Sequence, residues 1–120
     1  MVQQSIKNII NKVYPLIAKD YSCNAKVEVY DNIFARLSST SAINEYDICA
    51  EYSWSDNKIY LYTNHLDNKE DVISSLIHEC VHSNQSHEIY EAYYKCDLDY
   101  DTHPYEIEAE YEEEKWRNYK

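Results

Sequence analysis

The chain has 120 residues, 44% of them apolar, with 22 acidic against 11 basic residues and a formal charge of −11. This length suits one domain over residues 1–120 with a modest core, and the charge disfavours binding to nucleic acid, which depends on Lys and Arg neutralising phosphates. The absence of glycine removes the glycine-dependent phosphate loops and dinucleotide fingerprints together, and no apolar run approaches the ~18–20 residues needed to cross a bilayer.

In chain order, Ile6, Ile9, Ile10, Val13, Leu16 and Ile17 recur at helical spacing, so an amphipathic helix is predicted, with Pro15 expected to kink or shorten it. Ala25, Val27 and Val29 alternate with Lys26, Glu28 and Tyr30, the period of a half-buried strand. A further strand is predicted over residues 34–40. Alternation returns in DICAEYSW, with Ile48, Ala50, Tyr52 and Trp54 on one face, and in KIYLYT from Lys58 to Thr63. The SDN between them, Ser55 to Asn57, is turn chemistry, which predicts an antiparallel hairpin in a small mixed sheet.

After NHLDN the period becomes helical, with Val72, Ile73, Leu76, Ile77, Cys80 and Val81 forming one apolar stripe. Asn68 is placed to cap this helix, and Asp71 suits its positive end. SHEIYEAYYKCDLDYD predicts a short helix or ordered loop, and Pro104 then opens a last helix through YEIEAEYEEEKWRNY. The opening MVQQSIKNII lacks the order of a secretory signal. The expectation is a soluble, cytoplasmic protein whose Cys23, Cys49, Cys80 and Cys96 are free thiols, none in a C-x-x-C pair.

Chemistry concentrates in LIHECVHSNQ. On a helix, His78 and His82 project to one side and can bind one ion, while Glu79 lies about 100° round from His78, within reach of a water there. This H-E-x-x-H pattern supplies two imidazole ligands and a carboxylate base. A tetrahedral zinc that keeps one position for water needs one more protein ligand, and HPYEIEAEYEE supplies the candidates.

At this point the sequence resembles the zincin metallopeptidases, in particular their gluzincin branch, over Lys58 to Glu112. In that branch the third ligand is a glutamate on a later helix, typically followed by alanine, with an acidic residue four positions further on that hydrogen-bonds the first histidine. Glu108-Ala109 and Glu112 match this pattern, so the resemblance implies His78, His82 and Glu108 as zinc ligands, Glu112 as partner of His78 and Glu79 as catalytic base. Glu106, and His103 as a third histidine, remain alternative ligands. The implied fold is α+β and zincin-like: a small mixed sheet packed on the N-terminal helix and the metal helix, followed by the glutamate helix. The implied activity is zinc-dependent hydrolysis of a peptide or protein substrate lying along an edge strand, for which KIYLYT is the candidate. The alternative is an inactive zinc-binding module that holds a protein partner. Tyr93, Tyr94, Tyr100, Tyr105 and His103 are all candidates for an oxyanion donor; His65 and His87 read as surface histidines, and Cys80 as core.

Overall fold

The computed structural model describes residues 3–31 and 49–120; the strand predicted over 34–40 lies outside them. The described elements are α1 (Gln3–Asp20), β1 (Lys26–Tyr30), β2 (Ala50–Ser53), β3 (Lys58–Tyr62), α2 (Lys69–Ser83), α3 (His87–Lys95) and α4 (Pro104–Glu113), with short 3-10 turns between and after them. The fold is α+β, and no described helix is long and apolar enough to cross a membrane.

The sheet order is β1-β3-β2, with β1 parallel and β2 antiparallel to β3. This corrects the expectation that KIYLYT is an edge strand: β3 is paired on both sides. Its composition explains the position, because Ile59 and Leu61 enter the core on one face while Tyr60 and Tyr62 are buried on the other. A strand covered on both faces belongs inside a sheet. Among the described residues β2 is the outer strand beside β3.

The helix α2 is the centre of the molecule and packs on α1, α4, β2 and β3. Ile6, Val13 and Ile17 of α1 meet Val72, Ile73, Leu76 and Ile77 of α2, all essentially inaccessible. Each such side chain stabilises the fold by about 1.5–3 kcal/mol through removal from water. Asn68 caps α2, its side chain accepting from the Asp71 N–H at 2.9 Å. Pro15 does not shorten α1, which runs on to Asp20.

The final segment does not remain one α-helix. It is α-helical to Glu113 and tightens to a 3-10 turn over Glu114–Asn118. Without glycine, three turns among the described residues place other residues in left-handed backbone: Ser22 (φ 53°) after α1, Asn57 (φ 53°) in the hairpin and Asp97 (φ 66°) after α3. The four cysteines are unpaired, and Cys80 is buried in the apolar cluster.

Candidate metal centre

His78 and His82 sit in the last turns of α2, where the apolar stripe anchors the helix and leaves both imidazoles on the margin that faces α4. Both are more than nine-tenths buried, as are Glu79 and Glu106. The Nε2 atoms of His78 and His82 lie 2.9 and 3.1 Å from the same oxygen, Oε1 of Glu106. One donor atom from each of these three residues lies within 4.8 Å of the other two. Ligands about 2.0–2.1 Å from a tetrahedral ion stand roughly 3.3 Å apart, so the three donors are already close to the spacing of one coordination sphere.

Each of the three is held from behind. His78 Nδ1 lies 2.6 Å from Glu113 Oε2, and His82 Nδ1 lies 2.6 Å from Gln85 Oε1. The Gln85 amide nitrogen donates to Tyr105 O at 3.1 Å and Glu108 Oε1 at 2.6 Å, which fixes its oxygen toward His82. The second oxygen of Glu106 accepts from the Tyr90 hydroxyl. With Nδ1–H of each ring donating outward, Nε2 is the atom free to bind an ion, the arrangement that orients metal-binding histidines generally.

Without an ion, protons must take its place. Burial lowers the His78 pKa, but hydrogen bonds to Glu106 and Glu113 outweigh this and raise it to about 10. His82 is also raised, burial again being opposed by Glu106. Desolvation acts to raise Glu106, but its hydrogen bonds to His78 and His82 hold it well below the usual carboxylate range. A cation can take the place of the ring protons here, with Glu106 supplying the opposite charge.

The structure brings Glu106, not Glu108, beside His78 and His82. Glu108 is exposed and bonds Gln85, so it reaches His82 only through that amide. Glu112 accepts from Tyr21 and Lys115 rather than touching His78. The reason is the rotation of α4. Glu106, Ala109 and Glu113 follow one another at helical spacing on the face turned to α2, with Ala109 fully buried at the contact. Glu108 is about 200° round from Glu106. The missed signal is this inward stripe: Ala109, the one small apolar residue of α4, packs where the backbones approach, while Ile107 and Tyr111 are 51% and 60% exposed.

His103 is not available as a ligand. It is fully buried, its Nδ1 accepts from the Tyr105 N–H as the cap of α4 at 3.1 Å, and its Nε2–H donates to Tyr90 O at 3.0 Å. Tyr90, Tyr93, Tyr94 and Tyr105 surround its ring. Of the proposed oxyanion donors, Tyr100 alone lines the cavity on the open side of the centre. That cavity, about 450 Å³, is also lined by Cys49, Ala50, Asp71, Ser74, Ser75, His78, Glu79 and Glu113.

Glu79 faces this cavity too. Desolvation raises its pKa, although the neighbouring His78 and His82 charges pull the other way. Among the described residues its carboxylate makes no hydrogen bond. His87 is exposed, as expected, and stacks on Trp54, ring centroids 4.7 Å apart; Trp54 also packs on His82 and donates to Gln85 O at 3.1 Å. The hairpin is thereby attached to the end of α2.

Comparison with protein-family models, with curated proteins and with solved structures gives no significant match to this chain.

Proposed function

We propose that the chain is a zinc-dependent peptide hydrolase, with His78, His82 and Glu106 as ligands and Glu79 as general base. The observation that carries this reading is the convergence of His78, His82 and Glu106 on one point, with the unbonded, buried Glu79 beside them at an open cavity. Two imidazoles and one carboxylate suit zinc among the common divalent ions. When bound, zinc supplies a Lewis acid for a carbonyl oxygen and lowers the pKa of a coordinated water.

The protein's own residues supply the remaining functions. Glu113 and Gln85 hold the two rings in the ligating tautomer, and Tyr90 holds the second oxygen of Glu106. Glu79 takes a proton from the attacking water and delivers it to the amine nitrogen as the C–N bond breaks; its raised pKa suits both transfers. Ala50 lines the cavity at the start of β2, which favours a peptide lying along β2 instead of β3. Tyr100, which lines the same cavity, is the candidate donor to a developing oxyanion.

The test is zinc content after dialysis, together with hydrolysis of a mixed synthetic peptide set, for the native chain and Glu79→Gln. Bound zinc in both, with hydrolysis only in the native chain, is the expected result. Zinc without hydrolysis in either points to a binding module that holds a partner. No zinc in the native chain defeats both readings.

A further inference from the structure

The cavity beside the candidate centre differs in character from the centre itself. Its lining mixes the apolar or aromatic Ala50, Cys49 and Tyr100 with the acidic Asp71 and Glu113 and with Ser74 and Ser75. Through Ser74 and Glu113 it continues into a second trough of about 530 Å³, lined by Glu70, Glu110 and Glu114 against Trp116, with Arg117 the single cation on its walls. Among the described residues no Lys or Arg forms an ion pair with Glu70, Glu110 or Glu114, and all three are exposed. The independent observation is Glu79, 6% exposed, lining the cavity with no hydrogen bond to its carboxylate among the described residues. A buried polar group left in that state calls for a partner that arrives from outside.

We infer that the cavity and trough form a binding site for a cationic peptide segment, with a Lys or Arg side chain seated in the cavity that Tyr100 and Asp71 both line. Such a side chain has an apolar stem and a charged head, which matches a pocket lined by both apolar and anionic side chains. An ammonium or guanidinium is also attracted to a tyrosine ring face. The trough beyond it extends the match to a run of basic residues, and the overall charge of −11 draws such a segment in. The inference rests on the hydrolase reading only for its use in selecting substrate; the binding site stands on the cavity.

The probe is the labelled peptide acetyl-Ala-Lys-Lys-Ala-amide, with Gln-Gln and Glu-Glu analogues, titrated by fluorescence anisotropy against the zinc-treated and the chelator-treated full chain. Expected is binding of the Lys peptide at least ten-fold tighter than the Gln peptide. That preference should fall at least five-fold in Glu70→Gln/Glu110→Gln/Glu114→Gln. It should change less than two-fold in Glu88→Gln/Glu91→Gln/Asp97→Asn, which removes equal charge elsewhere. No binding, equal binding of the three peptides, or equal losses in the two triple variants overturns the inference. Zinc content measured on the same samples separates the two readings. Lys preference without zinc leaves the cationic site and removes the hydrolase; zinc without Lys preference does the reverse.

Discussion

Replacing Glu106 by glutamine keeps the size of the side chain but removes the charge that faces two imidazoles at 2.9 and 3.1 Å. Outer partners of metal-binding histidines are worth about 10–100-fold in metal affinity. A residue that supplies a ligand atom itself should exceed this, so Glu106→Gln is expected to weaken zinc binding by at least ~100-fold, or ~2.7 kcal/mol. The structure also orders the neighbouring carboxylates. Glu113→Gln removes the anion 2.6 Å from His78 Nδ1 and falls in the ~10–100-fold range. Glu108→Gln, one amide further out through Gln85, should cost less than ~10-fold. Glu112→Gln, which touches only Tyr21 and Lys115, should leave zinc affinity unchanged. The assay is competition against a chromophoric chelator near neutral pH, with circular dichroism to confirm that each variant folds. Loss of zinc in Glu108→Gln with retention in Glu106→Gln would refute the rotation of α4 and restore the ligand expected from sequence.

Tyr90→Phe deletes the hydroxyl that donates to Glu106 and should weaken zinc binding by about 10-fold, read by the same competition. His103→Ala should lower the unfolding free energy by about 2–4 kcal/mol, through the lost helix cap and the buried carbonyl of Tyr90 left unmatched; urea denaturation measures this, and zinc stoichiometry should not change. In the metal-free protein the His78 pKa lies above its ordinary 6.5, at about 10, so its contribution is complete below 6.5 and is lost as pH rises toward 10. The Glu106 pKa lies below its ordinary 4.5, so its contribution is present above 4.5 and is lost on acidification. Metal-free stability should therefore peak between 4.5 and 6.5, whereas zinc, which competes with protons for the same nitrogens, should stabilise most at higher pH; thermal melts across pH with and without zinc decide this.

The legible parts of the sequence were those where one physical signal acts alone. The stripe from Val72 to Val81 and the Asn68 cap define α2, and with it the pairing of His78 and His82, because burial and helical period agree. On α4 they disagree. Its inward face is built from Glu106 and Glu113, while Ile107 and Tyr111 point outward, so hydrophobic periodicity selects the wrong side. The acids face inward because the imidazoles of α2 compensate their burial, a pairing visible only once the two helices are adjacent. Strand order failed for a related reason. Alternation in KIYLYT suggested one covered face, yet Tyr60 and Tyr62 are buried as fully as aliphatic residues, since the Tyr62 hydroxyl donates to Glu51 and the Tyr60 hydroxyl to Asp56.

The glycine-free turns bear on the unfolded chain as much as on the folded one. At Ser22, Asn57 and Asp97 the left-handed backbone costs about 1 kcal/mol or more relative to a residue without Cβ, least for Asn and Asp. Against this, a chain without glycine has fewer conformations to lose when it folds, an advantage of about 0.4–1 kcal/mol for each position where a glycine is avoided without strain. The balance is favourable along the helices and strands and unfavourable at these three corners. Ser22, whose side chain is the least suited of the three to this backbone, is the corner where a single glycine would relieve the most strain.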